Sequence, residues 1–135
     1  MQYNSFFLID DDTVTNLLNE RMIKNTAAAK NVKTFNYANI ALNELQKMLA
    51  NPTAFPDVIL LDIRMPFMNG WEFLEEFQKF PEAVLNKCNV FMFSASDDLQ
   101  DVQKSKTYKV VKGFIHKPLT IPKLNDLDKA ISSTT

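Results

Sequence analysis

One stretch constrains the fold more than any other: Asp57 to Gly70, reading D-V-I-L-L-D-I-R-M-P-F-M-N-G. Val58-Ile59-Leu60-Leu61 is an unbroken apolar run, and a run without polar alternation reads as a central strand covered on both faces. It leads straight into Asp62. Met65-Pro66 then ends any ladder, because proline has no N–H to donate, and Asn69-Gly70 supplies a turn ahead of the next helix. Asp62 is therefore expected at the carboxyl end of a buried parallel strand, where open α/β sheets place their ligand sites. The plainer alternative is a carboxylate that merely closes its loop with an Asx turn.

The 135 residues leave room for one domain with a proper core. Lys and Arg number 15 against 16 for Asp and Glu, so no net field favours nucleic acid or a membrane surface. No apolar run reaches the length needed to span a bilayer, and Met1-Gln2-Tyr3-Asn4 lacks the basic start of a secretory signal. Cys88 is the lone cysteine, which excludes an internal disulfide and suits a reducing compartment. With no histidine near it in sequence, it reads as a buried structural thiol. The expectation is a soluble, cytoplasmic protein with no direct nucleic-acid or membrane partner.

Ser5–Ile9 is a second apolar run, and it ends in Asp10-Asp11-Asp12. A helical pattern follows from Thr13, with Val14, Leu17, Leu18 and Met22 expected on its buried face. Asp12 or Thr13 would cap it, which leaves Asp10 and Asp11 unexplained. A like-charge pair at ~4 Å repels by about 4 kcal/mol at an effective dielectric of roughly 20. Such a cluster is either a solvated acidic turn or a cation site. Val32–Phe35 reads as a weak edge strand. Ala41, Leu45, Met48 and Leu49 mark a second helix from Tyr37, stopped by Asn51-Pro52. Phe73, Leu74, Phe77 and Phe80 form a third helical stripe, which belongs to the core, ahead of Pro81.

Val90–Phe93 is a fourth strand ending in Ser94-Ala95-Ser96. Asp97 and Asp98 favour a helix start, yet only Leu99 and Val102 are clearly apolar in the helix that follows, so it should be lightly held. Lys104, Lys106, Lys109 and Lys112 read as a solvated face or a surface for an acidic partner. Lys112–His116 is a fifth short strand ending in Lys117-Pro118, with His116 at its surface end. Thr120 caps a last helix with Pro122 in its first turn and Leu124, Leu127 and Ile131 inward. Residues 132–135 read as a frayed tail. Strand followed by helix, five times over, predicts an α/β fold: a right-handed, doubly wound parallel sheet of five strands in the flavodoxin-like order 2-1-3-4-5.

That topology gathers Asp10 and Asp11, Asp62, Ser94 and Lys117 on one edge of the sheet. Together they suit phosphoryl transfer to a carboxylate. Asp62 can attack phosphorus to give an acyl phosphate. Asp11 and Asp62, with Asp10 through a bridging water, can hold a hard cation such as Mg²⁺ by oxygen ligands. Lys117 and the Ser94 hydroxyl can meet the phosphoryl oxygens.

The same set resembles the CheY-like receiver domains of two-component response regulators, in order and over essentially the whole chain. The matching features are an acid pair after strand one, Asp with M-P-x-M-x-G after strand three, Ser-Ala after strand four and Lys-Pro after strand five. The resemblance implies Asp62 as phosphoacceptor, and Asp10, Asp11, Asp62 and the backbone carbonyl of Arg64 as ligands of Mg²⁺. It implies Ser94 and Lys117 as phosphate contacts, Ser94 and Phe114 as the switch pair, and a cis Lys117–Pro118 bond. It further implies Arg64 and Ser96 as the positions that tune dephosphorylation. Many relatives carry tyrosine where this chain has Phe114, so only ring packing is available there.

The implied function is a stand-alone receiver over 1–135 with no output domain and no turnover of its own. It would take a phosphoryl group from a sensor histidine kinase or a histidine phosphotransfer protein and dock an unidentified downstream protein on its 97–131 face. A pseudo-receiver acting purely as an interaction module is the alternative, disfavoured because no member of the reactive set is missing. A haloacid-dehalogenase-type phosphohydrolase needs a second Asp two residues past the nucleophile, where this chain has Arg64. A flavodoxin would need a hydroxyl- and Gly-rich loop where this chain has three acids.

Overall fold

The computed structural model describes residues 2–133. Five strands, β1 (Tyr3–Ile9), β2 (Ala29–Phe35), β3 (Val58–Leu61), β4 (Asn89–Ser94) and β5 (Val111–His116), form one sheet in the order β2-β1-β3-β4-β5. Every pairing is parallel, as the apolar runs predict. All four residues of β3 are buried. Successive side chains of a strand point to opposite faces, so an all-apolar strand feeds two cores. Phe7, Ile9, Ile59 and Leu61 join one cluster with helices α2 (Ala38–Lys47) and α3 (Gly70–Phe77). Phe6, Leu8, Val58 and Leu60 join the other with α1 (Thr13–Asn25) and α6 (Ile121–Ser132). Each fully buried Phe, such as Phe73 and Phe77, contributes about 1.5–3 kcal/mol by leaving water.

Local signals set most helix starts. Asp12 caps α1, accepting from the N–H groups of Val14 and Thr15. Asn69 and Glu72 form a reciprocal capping box on α3, and Thr120 caps α6. Gly70 is required by close approach: a Cβ there would lie 2.5 Å from the Asp62 carbonyl oxygen. Met48 leaves α2 for a short 3₁₀ turn.

Five expectations need correction. In α1 the residues that turn inward are Asn16, Asn19 and Ile23, while Val14 is 62% exposed and Leu17 and Leu18 are exposed with it. The cause is Asn16, whose amide donates to the Asp10 carbonyl at 2.9 Å and to Asn36 Oδ1 at 3.2 Å. Holding that amide against the sheet edge rotates Leu17 and Leu18 outward. In the second helix Leu49 is exposed, and Ala38, Ala41, Leu42 and Leu45 form the buried face. The third helix ends at Phe77, short of Pro81 and leaving Phe80 beyond it, and Pro81 instead opens the short α4 (Glu82–Lys87), which anchors Val84 in the core. In α5 (Leu99–Ser105) the buried residues are Asp101 and Ser105, and Leu99 is 73% exposed. The helix expected to be weakly apolar is thus held by polar groups. The tail is helical through Ser132 and capped at Ser133; residues 134–135 lie outside the described residues. Cys88 is buried, and burial pushes its thiol up to about 12, as a structural thiol requires.

Candidate functional site

The ladder continues one rung past three of the strands, and those rungs place the site. The Asp10 N–H donates to the Phe35 carbonyl at 3.0 Å, Asp62 N–H to Ile9 at 2.9 Å, and Lys117 N–H to Ser94 at 2.9 Å. Asp10, Asp62 and Lys117 are therefore held in register at the carboxyl edge, with Ser94 as the last residue of β4. The Lys117–Pro118 bond is cis. The Lys117 ammonium lies 2.7 Å from Asp10 Oδ2 and 3.6 Å from Asp62 Oδ1. Sequence-distant groups expected to converge do so.

Asp62 is only 6% exposed. Burial pushes its carboxyl up to about 7, and the charges of Asp10 and Asp11 add to that effect. The Lys117 ammonium and the Ile63 N–H, which donates to Oδ1 at 2.9 Å, oppose it. Burial also works against the Lys117 charge, but the contacts with Asp10 and Asp62 outweigh it and hold lysine above its ordinary value. The pocket is short of positive charge: three carboxylates share one ammonium.

One oxygen from each of Asp10, Asp11 and Asp62 falls within a sphere of contacts no wider than 4.8 Å. Asp10 Oδ2 is buried and receives no N–H or O–H in hydrogen-bonding geometry; the ammonium at 2.7 Å sits beside it as a charge. A buried carboxylate oxygen with spare lone pairs, next to an exposed and a buried carboxylate, fits a hard divalent cation that prefers oxygen and keeps some waters.

The remaining predicted residues lie around this centre. Ser94 is buried, and its Oγ accepts from the Ser96 N–H at 3.1 Å. Met92 pairs with Phe114 and Ser94 with His116, so Ser94 and Phe114 point to the same face of the sheet, two rungs apart. The Phe114 ring is half-buried against the central cluster. The Arg64 side chain does not reach Asp62: it pairs with Asp101 Oδ2 at 3.0 Å, an oxygen that also accepts from Ser96 Oγ at 3.0 Å. Sequence reasoning missed Asp101 and Asn16. Neither was signalled by the helical periodicity, which in α1 favours Leu17 and Leu18. Lys104 is not simply solvated, since its ammonium lies 4.9 Å from the centre of the Trp71 ring, which stacks on Tyr108.

A doubly wound sheet with an acid pocket and a lysine at the carboxyl edge of its strands defines a class of α/β domains that bind ligands at that edge. The sequence pattern of the response regulator receiver domain matches residues 6–129, and the chain belongs to that family. It is similar to a two-component response regulator from Cytophaga hutchinsonii, with 32% identity, 98% of this chain and 99% of that chain covered, and a TM-score of 0.89. It is also similar to a response regulator receiver protein from Dyadobacter fermentans, at 31% identity, 98% coverage of each chain and a TM-score of 0.84. A CheX–CheY–BeF₃–Mg²⁺ complex from Borrelia burgdorferi shares the fold at 23% identity, covering 97% of this chain and 88% of that chain with a TM-score of 0.73. No curated protein matches. Receiver domains are signalling modules rather than turnover enzymes. No helix among the described residues is long and apolar enough to cross a membrane.

Proposed function

We propose that Asp62 accepts one phosphoryl group from a phosphohistidine protein, a sensor histidine kinase or a phosphotransfer protein, and that the phosphorylated chain signals by docking. The observation that carries this is the convergence of the buried Asp62 carboxylate with an acid pair and the Lys117 ammonium. Asp62 attacks phosphorus, the phosphorus–nitrogen bond to the donor imidazole breaks, and histidine leaves with its electron pair and takes up a proton. Asp10, Asp11, Asp62 and the Arg64 backbone carbonyl would hold Mg²⁺. When bound, the ion would neutralise charge on the transferring oxygens and keep Asp62 ionised. Lys117 meets one phosphoryl oxygen as a point charge and the Ser94 hydroxyl donates to another.

Exposed apolar residues support protein docking. Val14, Leu17 and Leu18 on α1, and the 86% exposed Phe67 on the loop after β3, present apolar surface to solvent. The output face spans residues 97–131: drawing Ser94 toward the phosphoryl group vacates space on the face it shares with Phe114, whose ring then packs inward without a hydroxyl to latch it. The presence of BeF₃ and Mg²⁺ in the Borrelia CheX–CheY complex supports the ligand chemistry. The test is to incubate the chain with acetyl phosphate and Mg²⁺, trap the acyl phosphate and map it by mass spectrometry. The label is expected on Asp62 alone; undiminished labelling of Asp62→Asn would sink the assignment.

A further inference from the structure

Helix α5 touches β5 and places Lys104 over the Trp71 ring, and a buried carboxylate ties its first turn to the loops at the site. Its buried residues are Asp101 and Ser105, and the Ser105 hydroxyl is spent inside the helix, donating to the Val102 carbonyl at 2.6 Å. Asp101 reaches outside it. One oxygen, Oδ2, accepts from Arg64 Nη2 and from Ser96 Oγ, each at 3.0 Å. Ser96 continues the chain of contacts, accepting from the Asp98 N–H at 3.0 Å and donating its own N–H to Ser94 Oγ at 3.1 Å. Arg64, Asp101, Ser96 and Ser94 thus tie the loop after β3 to the loop after β4 and to the first turn of α5.

The two ends of this clasp are unequal. The Arg64 side chain is 65% exposed and that of Asp101 only 11%. The guanidinium can leave into solvent at little cost, whereas Asp101 then stays behind as a buried carboxylate with the Ser96 hydroxyl. Arg64 also stands two residues past Asp62, within a side chain's reach of anything carried on that carboxylate.

We propose that Asp101 is a positioning residue acting through Arg64: it holds the guanidinium away from Asp62 in the resting chain, and a phosphoryl group on Asp62 competes for that same guanidinium, loosening α5 as it does so. This deepens the phosphoacceptor assignment above and rests on it. A phosphoryl group brings a charge of about −1.5 to −2 and strong acceptor oxygens, and the arginine fork matches them bidentately.

The clasp then sets the lifetime of the acyl phosphate. In hydrolysis the water oxygen bonds to phosphorus and the bond from phosphorus to the Asp62 oxygen breaks. Asp62 departs as carboxylate, and the proton lost by water leaves with inorganic phosphate and solvent. A guanidinium that contacts the phosphoryl oxygens before and during this step gives no rate advantage, since equal binding of ground and transition states leaves the barrier unchanged. Its bulk does cover the approach of water. Arg64 therefore protects the phosphoryl group, and Asp101 limits that protection by competing for it.

The experiment labels parent, Asp101→Asn, Arg64→Ala and the double variant with acetyl phosphate and Mg²⁺, removes the donor and follows loss of the phosphoryl group. In parallel, hydrogen exchange over residues 99–105 is read before and after labelling. Asp101→Asn should lengthen the lifetime about two- to fivefold, the range open to an ion pair with an exposed partner. Arg64→Ala should shorten it, and adding Asp101→Asn to Arg64→Ala should change nothing further. Labelling should raise exchange in α5 of the parent but not in Asp101→Asn, where exchange is already high. A change by the same factor in both backgrounds, or no change in either, overturns the proposal and leaves the phosphoacceptor assignment standing. A parent chain that takes up no label overturns that assignment, and the proposal with it.

Discussion

Asp62→Asn should stabilise the metal-free protein, and only at high pH. The pKa of Asp62 lies at about 7 in the folded chain, against about 3.9 for an aspartate in an unfolded one. The folded chain therefore keeps a proton that the unfolded chain has released. The stability contributed by this group is complete below about pH 4 and is lost as pH climbs through about 7. Each pKa unit is worth 1.36 kcal/mol, so ionised Asp62 costs about 4 kcal/mol at pH 8. Asparagine cannot ionise, and it keeps an oxygen to accept from the Ile63 N–H. Urea unfolding in EDTA should show the variant more stable than the parent by about 3–4 kcal/mol at pH 8 and nearly equal at pH 4. Millimolar Mg²⁺ should close the gap at pH 8 by binding the folded parent. A variant whose advantage is the same at both pH values would refute the electrostatic account, since a packing effect does not titrate.

Other substitutions separate the packing claims from the charge claims. Ile23→Ala should cost about 2–5 kcal/mol by urea unfolding, whereas Leu18→Ala, on the outward face of α1, should stay within about 0.5 kcal/mol. Asn16→Ala should cost about 1–3 kcal/mol, because it strips partners from the Asp10 carbonyl and Asn36. Phe67 has a φ of 70° and an exposed ring, so Phe67→Gly should raise stability by about 1 kcal/mol, less what its contact with Tyr37 supplies. Asp11→Ala should weaken Mg²⁺ binding followed by the fluorescence of Trp71, which stacks on Tyr108.

The fold was legible because β3 and β4 are apolar on both faces, a pattern that only a covered parallel sheet accommodates. The centre of the site was legible because Asp10, Asp62 and Lys117 each sit one residue beyond a strand, where topology alone brings them together. Helix faces were harder to read. Periodicity in α1 favours Leu17 and Leu18, and nothing in the linear sequence says that the Asn16 amide is needed at the ends of β1 and β2. Asp101 was hidden the same way: three residues past Asp98, it resembles an ordinary acid in the first turn of a helix, and its partner Arg64 is 37 positions away in sequence. The break between α3 and α4 went unseen because Pro81 can end one helix and open the next equally well.

Asp62 is expected to take up a single phosphoryl group under the control of a divalent cation. Intact-protein mass spectrometry after incubation with acetyl phosphate tests this most directly. The expected result is a plateau at no more than one added phosphoryl group per chain in Mg²⁺, none in EDTA and none in Asp62→Asn. Multiple additions, or uptake that persists in EDTA, would contradict it.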